Sequence, residues 1–321
     1  MPEKDKISPS ESIALSIIRV FAMALIVSCH IAQCYELKIA WVLNVGVQIF
    51  FFMSGFLYGR LDLSIASPWS FYKKRFVKVY LPFLIWVAVV VAVYSAFHLY
   101  HVNAKQIVLY LFSLQWFATP IDGLNHLWFL TVLMVGYLLT PWAKKLLQKH
   151  PIICVSAFLV CCVVEFVLVR KFYSFFAWIA LYFAGMFYGN YYSKKLSTIV
   201  LFLDAFALIV FGLLFKQDWL TKAEYSYFSI WLHWVLGLFL FALLFRILPQ
   251  AIKAEKKNAT IMHLDKISYE VYLIHHPLIL GPLSMMFLTP YIGVNILLLL
   301  VTVYILSRLL HFVCSFTKSL I

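Results

Sequence analysis

The chain has 321 residues, of which 64% are hydrophobic and only 12% charged. A soluble domain is about half apolar and about a quarter charged, so this composition excludes an ordinary soluble enzyme and reads as a polytopic membrane protein. The net charge is +13, from 26 Lys and Arg against 13 Asp and Glu. In a soluble protein that balance would suggest nucleic acid. Here the basic residues sit between apolar runs, so no nucleic-acid partner is expected.

Taken in chain order at about 20 apolar residues per span, the sequence divides into ten expected helices. They cover about 12–34, 41–60, 76–97, 124–143, 152–170, 172–190, 198–215, 226–247, 267–288 and 291–313. Breaks fall at turn and breaker pairs such as Ser67-Pro68, Thr140-Pro141, His150-Pro151 and Thr289-Pro290. The stretch 105–118 is too short to span and predicts an interfacial or re-entrant helix. The whole chain, 1–321, reads as a single all-α membrane domain that includes a short N-terminal tail at residues 1–11. The six cysteines lie in or against apolar runs, with no C-x-x-C spacing.

Orientation follows from Lys and Arg in the short loops. With the N-terminus inside, eighteen fall on the inner side and six on the outer, while Arg19 and Arg308 lie within helices. Both termini are therefore expected in the cytoplasm. Contact with anionic lipids accounts for most of this charge.

Ionisable side chains within spans carry the functional argument, because a membrane makes them costly. In SIIRVFAMALIVSCH, Arg19 and His30 are eleven residues apart. That spacing brings them within about 20° of one helix face and about 16 Å apart along the axis. One face thus offers a fixed cation toward the inside and a proton acceptor toward the outside. The second span ends in GVQIFFFMSGFLYGR, where Ser54-Gly55 suits close helix packing. Arg75 and Lys78 come one turn apart at the start of the third span, after Lys73 and Lys74. Such cations suit phosphate, whether on a ligand or on a lipid headgroup.

His126 and Trp128 open the fourth span in HLWFL. ISYEVYLIHHP in the ninth carries Glu270, Tyr272, His275 and His276, with Ser268, Tyr272 and His275 on one face and Glu270 on another. No H-x-x-x-H or H-E-x-x-H spacing occurs, so no metal site is expected. Glu165 and Asp204 are also intramembrane, without an evident partner.

The order Arg19-x10-His30, GVQIFFFMSGF, RFVKVYLPF, HLWFL and ISYEVYLIHH resembles the membrane acyltransferase-3 family from about Leu15 to the last span. These are multi-span O-acyltransferases of bacterial surface glycans. The resemblance implies ten helices in the cell membrane of a bacterium and an acyl donor, acetyl-CoA or another short acyl-CoA, taken from the cytoplasm. It implies delivery to a hydroxyl of a surface polysaccharide or lipid-linked sugar. His30 matches the family's first-helix histidine and Arg19 its partner. Arg75 and Lys78 fall on an R-x-x-R element, where Lys keeps the charge but loses the bidentate fork.

In that reading His30 is the general base. Arg19, Arg75, Lys78 and Lys74 bind the donor. His126, Trp128, Tyr272, His275 and Ser54 are candidates for holding the acceptor or the oxyanion. No metal takes part. A transporter or flippase for a glycan or small organic anion is the alternative that also fits the helix number and the basic inner loops.

Overall fold

The computed structural model describes residues 7–61, 67–117, 119–154, 156, 157, 160, 163, 175–216, 222–252 and 259–320. Among these, every regular element is helical. In chain order they are α1 (Pro9–Cys34), α2 (Ala40–Leu43), α3 (Val45–Arg60), α4 (Pro68–Arg75), a π-helical turn (Phe76–Tyr80), α5 (Leu81–Ala96) and α6 (Ala104–Leu111). Two 3₁₀ turns (Gln115–Phe117 and Asn125–Leu127) lead into α7 (Trp128–Lys149). Then come α8 (Phe175–Asn190), α9 (Lys194–Lys216), α10 (Lys222–Ala251), α11 (Ala259–Ile274), α12 (Pro277–Leu280) and α13 (Ile292–Leu320).

Seven stretches are long and apolar enough to cross a membrane: Pro9–Cys34, Ala40–Arg60, Pro68–Ala96, Asn125–Lys149, Lys194–Leu213, Ser229–Ala251 and Ile292–Phe316. Each overlies an expected span. Of the other three, 152–170 lies largely outside the described residues, with Glu165. The span expected at 172–190 is represented by α8, whose 16 residues reach only about 24 Å.

The ninth expected span, 267–288, does not form as one helix. α11 begins earlier, at Ala259, and ends at Ile274. Pro277 has no N–H to continue the ladder and instead opens α12. The stretch expected to be a short non-spanning helix is α6, eight residues long and closed by a capping box between Asn103 and Gln106.

The chain falls into two contact units. The first comprises Met1–Ile26, Trp41–Ile65 and Leu139–Met262; the second comprises Val27–Ala40, Ala66–Leu138 and His263–Ile321.

In the first unit, α3 lies directly on α8. A Cβ at Gly55 would run into the carbonyl oxygen of Tyr182, and one at Gly59 into that of Met186; Gly185 and Gly189 meet the carbonyls of Phe52 and Phe56 in return. Each helix thus carries a small-xxx-small pair, which lets backbones touch where lipid gives no hydrophobic drive. Lys144 of α7 is buried, and its ammonium donates to the carbonyl of Gly59 and to Asn190 Oδ1. A cation there compensates the carbonyl-rich C-terminal ends of α3 and α8.

At the same helix end, Arg60 pairs with Glu11 at 3.3 Å and lies over the Tyr192 ring. On α9 the buried positions are Ser197 and Asp204, seven residues apart, while its other described side chains are half-buried or exposed. An apolar pocket of about 440 Å³ lies in this unit, lined by Phe52, Leu147, Cys154, Met186 and Leu238 among others.

In the second unit, α11 packs between the π-helical turn and α13. Tyr269 donates its hydroxyl to the Val79 carbonyl at 2.7 Å. From another side of the helix, Glu270 Oε1 meets His311 Nδ1 of α13 at 2.8 Å. His276 then sits where the ladder stops, against the turn that precedes α7.

Candidate functional site

Four imidazoles meet in the second unit. His30 comes from the last turns of α1 and His126 from the 3₁₀ turn before α7. His275 and His276 come from the break between α11 and α12. His30 is half-buried, whereas His126, His275 and His276 are 5%, 0% and 5% exposed. His30 is thus the least buried of the four rings.

The hydrogen bonds fix the proton on each ring, because a main-chain carbonyl can only accept. His275 Nδ1 lies 3.0 Å from the Val271 carbonyl, so Nδ1–H donates and Nε2 of the neutral ring carries a lone pair. That lone pair faces His30 Nδ1 at 2.8 Å, so His30 donates from Nδ1. The neutral His30 ring therefore carries its own lone pair on Nε2, which bonds to none of the described residues. The two rings are inclined by 15° with centroids 5.0 Å apart. Given the direct N–H···N bond, this is an edge-to-edge pair rather than a face-to-face stack.

The other two rings are fixed the same way. His276 Nδ1–H donates to the Gly123 carbonyl at 2.9 Å. Gly123 has φ +76°, and a Cβ there would press on Gly281 and Pro277, so glycine is required to present that carbonyl. His126 Nε2–H donates to the Tyr272 carbonyl at 3.0 Å, and the Tyr272 hydroxyl returns a bond to the His126 carbonyl at 2.5 Å. This reciprocal clasp leaves His126 Nδ1 buried and without a partner among the described residues. The His126 and His276 rings stack at 4.5 Å.

The structure thus brings together His30, His126, Tyr272 and His275, all candidates from sequence. It adds His276 and the carbonyls of Gly123 and Val271. Both Tyr272 O–H and His126 N–H are committed to carbonyls, so in this geometry neither hydrogen is directed at an oxyanion. Trp128 packs edge-to-face on Trp116, at 5.2 Å, and beside Phe129. Arg19 and Ser54 belong to the first unit; Arg19 is half-buried on the unbroken α1, and Ser54 sits next to the glycine contact with α8. Cys29 is buried and donates its thiol to the Ala40 carbonyl at 3.2 Å. Among the described residues, no group of three or more His, Cys, Asp or Glu side chains is disposed to hold a metal ion.

The basic element before α5 also belongs to the second unit. Arg75 ends α4, with its guanidinium between the rings of Phe71 and Tyr137 at 5.8 and 5.9 Å. Lys78 lies inside the π-helical turn and is exposed, as are Lys73 and Lys74. A π turn winds more residues into each turn than an α-helix does. Arg75 and Lys78 are therefore not stacked as an α-helical i, i+3 pair, which corrects the one-turn spacing read from sequence. Single π turns inside helices recur at functional sites. The primary signal for this one was absent, since RFVKVYLPF has ordinary helix propensities up to Pro82.

A family model described as an acyltransferase domain matches residues 12–316, nearly the whole chain. The protein belongs to the acyltransferase-3 family and is an acyltransferase with membrane-spanning helices. Searches of curated proteins and of solved structures returned no match.

Proposed function

We propose that the protein transfers an acyl group, acetyl or another short acyl, from cytoplasmic acyl-CoA to a hydroxyl of a cell-surface polysaccharide or lipid-linked sugar. The observation that carries this reading is the half-buried His30 ring, whose tautomer leaves Nε2 as an unengaged base. The acceptor O–H bond breaks as its proton passes to Nε2, and the oxygen attacks the thioester carbonyl. The tetrahedral intermediate then collapses with loss of the C–S bond. The departing thiolate takes the proton from His30 Nε2, restoring the neutral ring.

The donor's phosphates are assigned to Arg75, Lys78, Lys73 and Lys74, and Arg19 is assigned to the donor by the family resemblance alone. The Phe71 and Tyr137 rings support this role for Arg75. They hold a flat, permanently charged guanidinium in place, the group best shaped to pair with phosphate oxygens. The family resemblance and the basic alternate loops support the cell membrane of a bacterium as the setting, with both termini in the cytoplasm.

The test compares glycan-bound ester by mass spectrometry in cells carrying wild-type protein or His30→Ala at matched membrane abundance. Loss of one defined acyl mass in the variant is the expected result, and it identifies the acyl group and the sugar. An unchanged ester profile overturns the assignment. Substrate flux in proteoliposomes without acyl-CoA would favour a transporter instead.

A further inference from the structure

We infer that His275 is the positioning residue of this reaction. It holds His30 as the Nδ1–H tautomer and shares the proton that His30 removes from the acceptor. The inference rests on the reading of His30 as base, but its evidence is the direction of a hydrogen-bond chain.

That chain is anchored at the Val271 carbonyl, which has no hydrogen to give. His275 Nδ1–H must therefore point to Val271 at 3.0 Å, and His275 Nε2 must accept from His30 at 2.8 Å. His275 is 0% exposed, so it does not touch substrate. Its position comes from the backbone: the last turn of α11 supplies the Val271 carbonyl, the His275 N–H just past the helix also bonds that carbonyl at 3.1 Å, and Pro277 ends the ladder beyond.

In a Ser-His-Asp triad a carboxylate takes the place behind the base and fixes its tautomer. Here the described carboxylate nearest in sequence, Glu270, is spent on His311 at 2.8 Å, and the acceptor behind His30 is a neutral imidazole. A neutral partner avoids burying a charge in the resting cluster. Unlike a main-chain carbonyl, it can also take a proton.

When Nε2 of His30 is protonated, the Nδ1–H bond of His30 breaks as an N–H bond forms on His275 Nε2. The positive charge then lies on His275, with its Nδ1–H on Val271, and His30 is neutral with its hydrogen on Nε2. The return transfer from His275 Nε2 to His30 Nδ1 accompanies donation of the Nε2 proton to the thiolate. Atoms and charge balance at each step.

Two variants separate orientation from proton sharing. In His275→Gln the side-chain carbonyl can accept from His30 Nδ1, while its NH₂ turns to Val271. In His275→Leu neither role survives. Each would be purified in bilayers, with His30 assigned by its loss in His30→Gln. ¹⁵N NMR of the histidines would report the His30 tautomer, and turnover of radiolabelled acetyl-CoA in acceptor-containing membranes would report kcat and KM.

The expected results are an Nδ1–H His30 in wild type and His275→Gln, and mixed tautomers in His275→Leu. For His275→Leu, kcat should fall about 10²- to 10⁴-fold with little change in donor KM, as when a triad base loses its tautomer control. His275→Gln should recover kcat to within about tenfold of wild type, a shortfall measuring proton sharing. A His275→Leu protein with unchanged tautomer and kcat overturns the inference, and so does a His275→Gln protein no better than His275→Leu. Absence of acetyl transfer by wild type would instead sink the acyltransfer reading, and the tautomer spectra would still decide what His275 does.

Discussion

At the scale of single residues, the site is built from side chains whose hydrogens are already spoken for. Val271, Gly123 and Tyr272 each offer a carbonyl to one imidazole, and those three bonds determine which nitrogens remain basic. The sequence displayed His30, His126, Tyr272 and His275 as unusual residues for a membrane. It could not show proton positions, because these depend on carbonyls contributed by segments far apart in the chain. The glutamate fits this pattern: Glu270 shares α11 with Tyr272, just before His275, but faces His311 on α13. Gly123 provides a sharp test. Gly123→Ala imposes a side chain at φ +76° and presses a Cβ on Gly281 and Pro277, at a cost of about 1–3 kcal/mol. The expected outcome is a lower melting temperature in detergent together with lost ester formation, since the carbonyl bonded to His276 must shift. A variant that melts and turns over like wild type would show that the turn tolerates a Cβ.

At the scale of elements, two local devices position what the residues need. One is the proline that ends α11 and leaves His275 and His276 at an open helix end. The apolar length of 267–288 suggested a continuous span, because apolar residues continue past Pro277 and hydropathy does not register the missing N–H. The other is the glycine contact between α3 and α8. Ser54-Gly55 was legible as a packing motif, but its partner, Gly185 and Gly189, could be matched to it only once the helices were seen side by side. Gly55→Ala should cost about 1–3 kcal/mol, because the methyl meets a main-chain carbonyl that cannot turn aside. Thermal unfolding in detergent should show a lower midpoint. An unshifted midpoint would mean that α3 and α8 separate without penalty.

At the scale of the whole molecule, composition and charge placement dominate. Seven stretches are long and apolar enough to cross a bilayer, each where hydropathy and breaker residues predicted a span. The excess of Lys and Arg in alternate loops is the argument for cytoplasmic termini. A reporter fused after Ile321 should accordingly be active only if it works in the cytoplasm. Alkaline phosphatase activity from that fusion would place the C-terminus outside and reverse the assigned path of the acyl donor.

What the sequence determined by itself was the solvent and the family: a bilayer chain of apolar helices, carrying a set of ionisable residues in an order that belongs to the acyltransferase-3 family. Both are properties of composition and linear order, which survive without knowledge of contacts. The tertiary structure decided which residues meet and which nitrogen of each histidine is free. It also replaced the expected ninth span with a helix that stops at Ile274, and the α-helical turn at Phe76–Tyr80 with a π turn. Those outcomes depend on hydrogen bonds to carbonyls and on close backbone approach, made between segments as distant as His30 and His275, and no linear pattern records them.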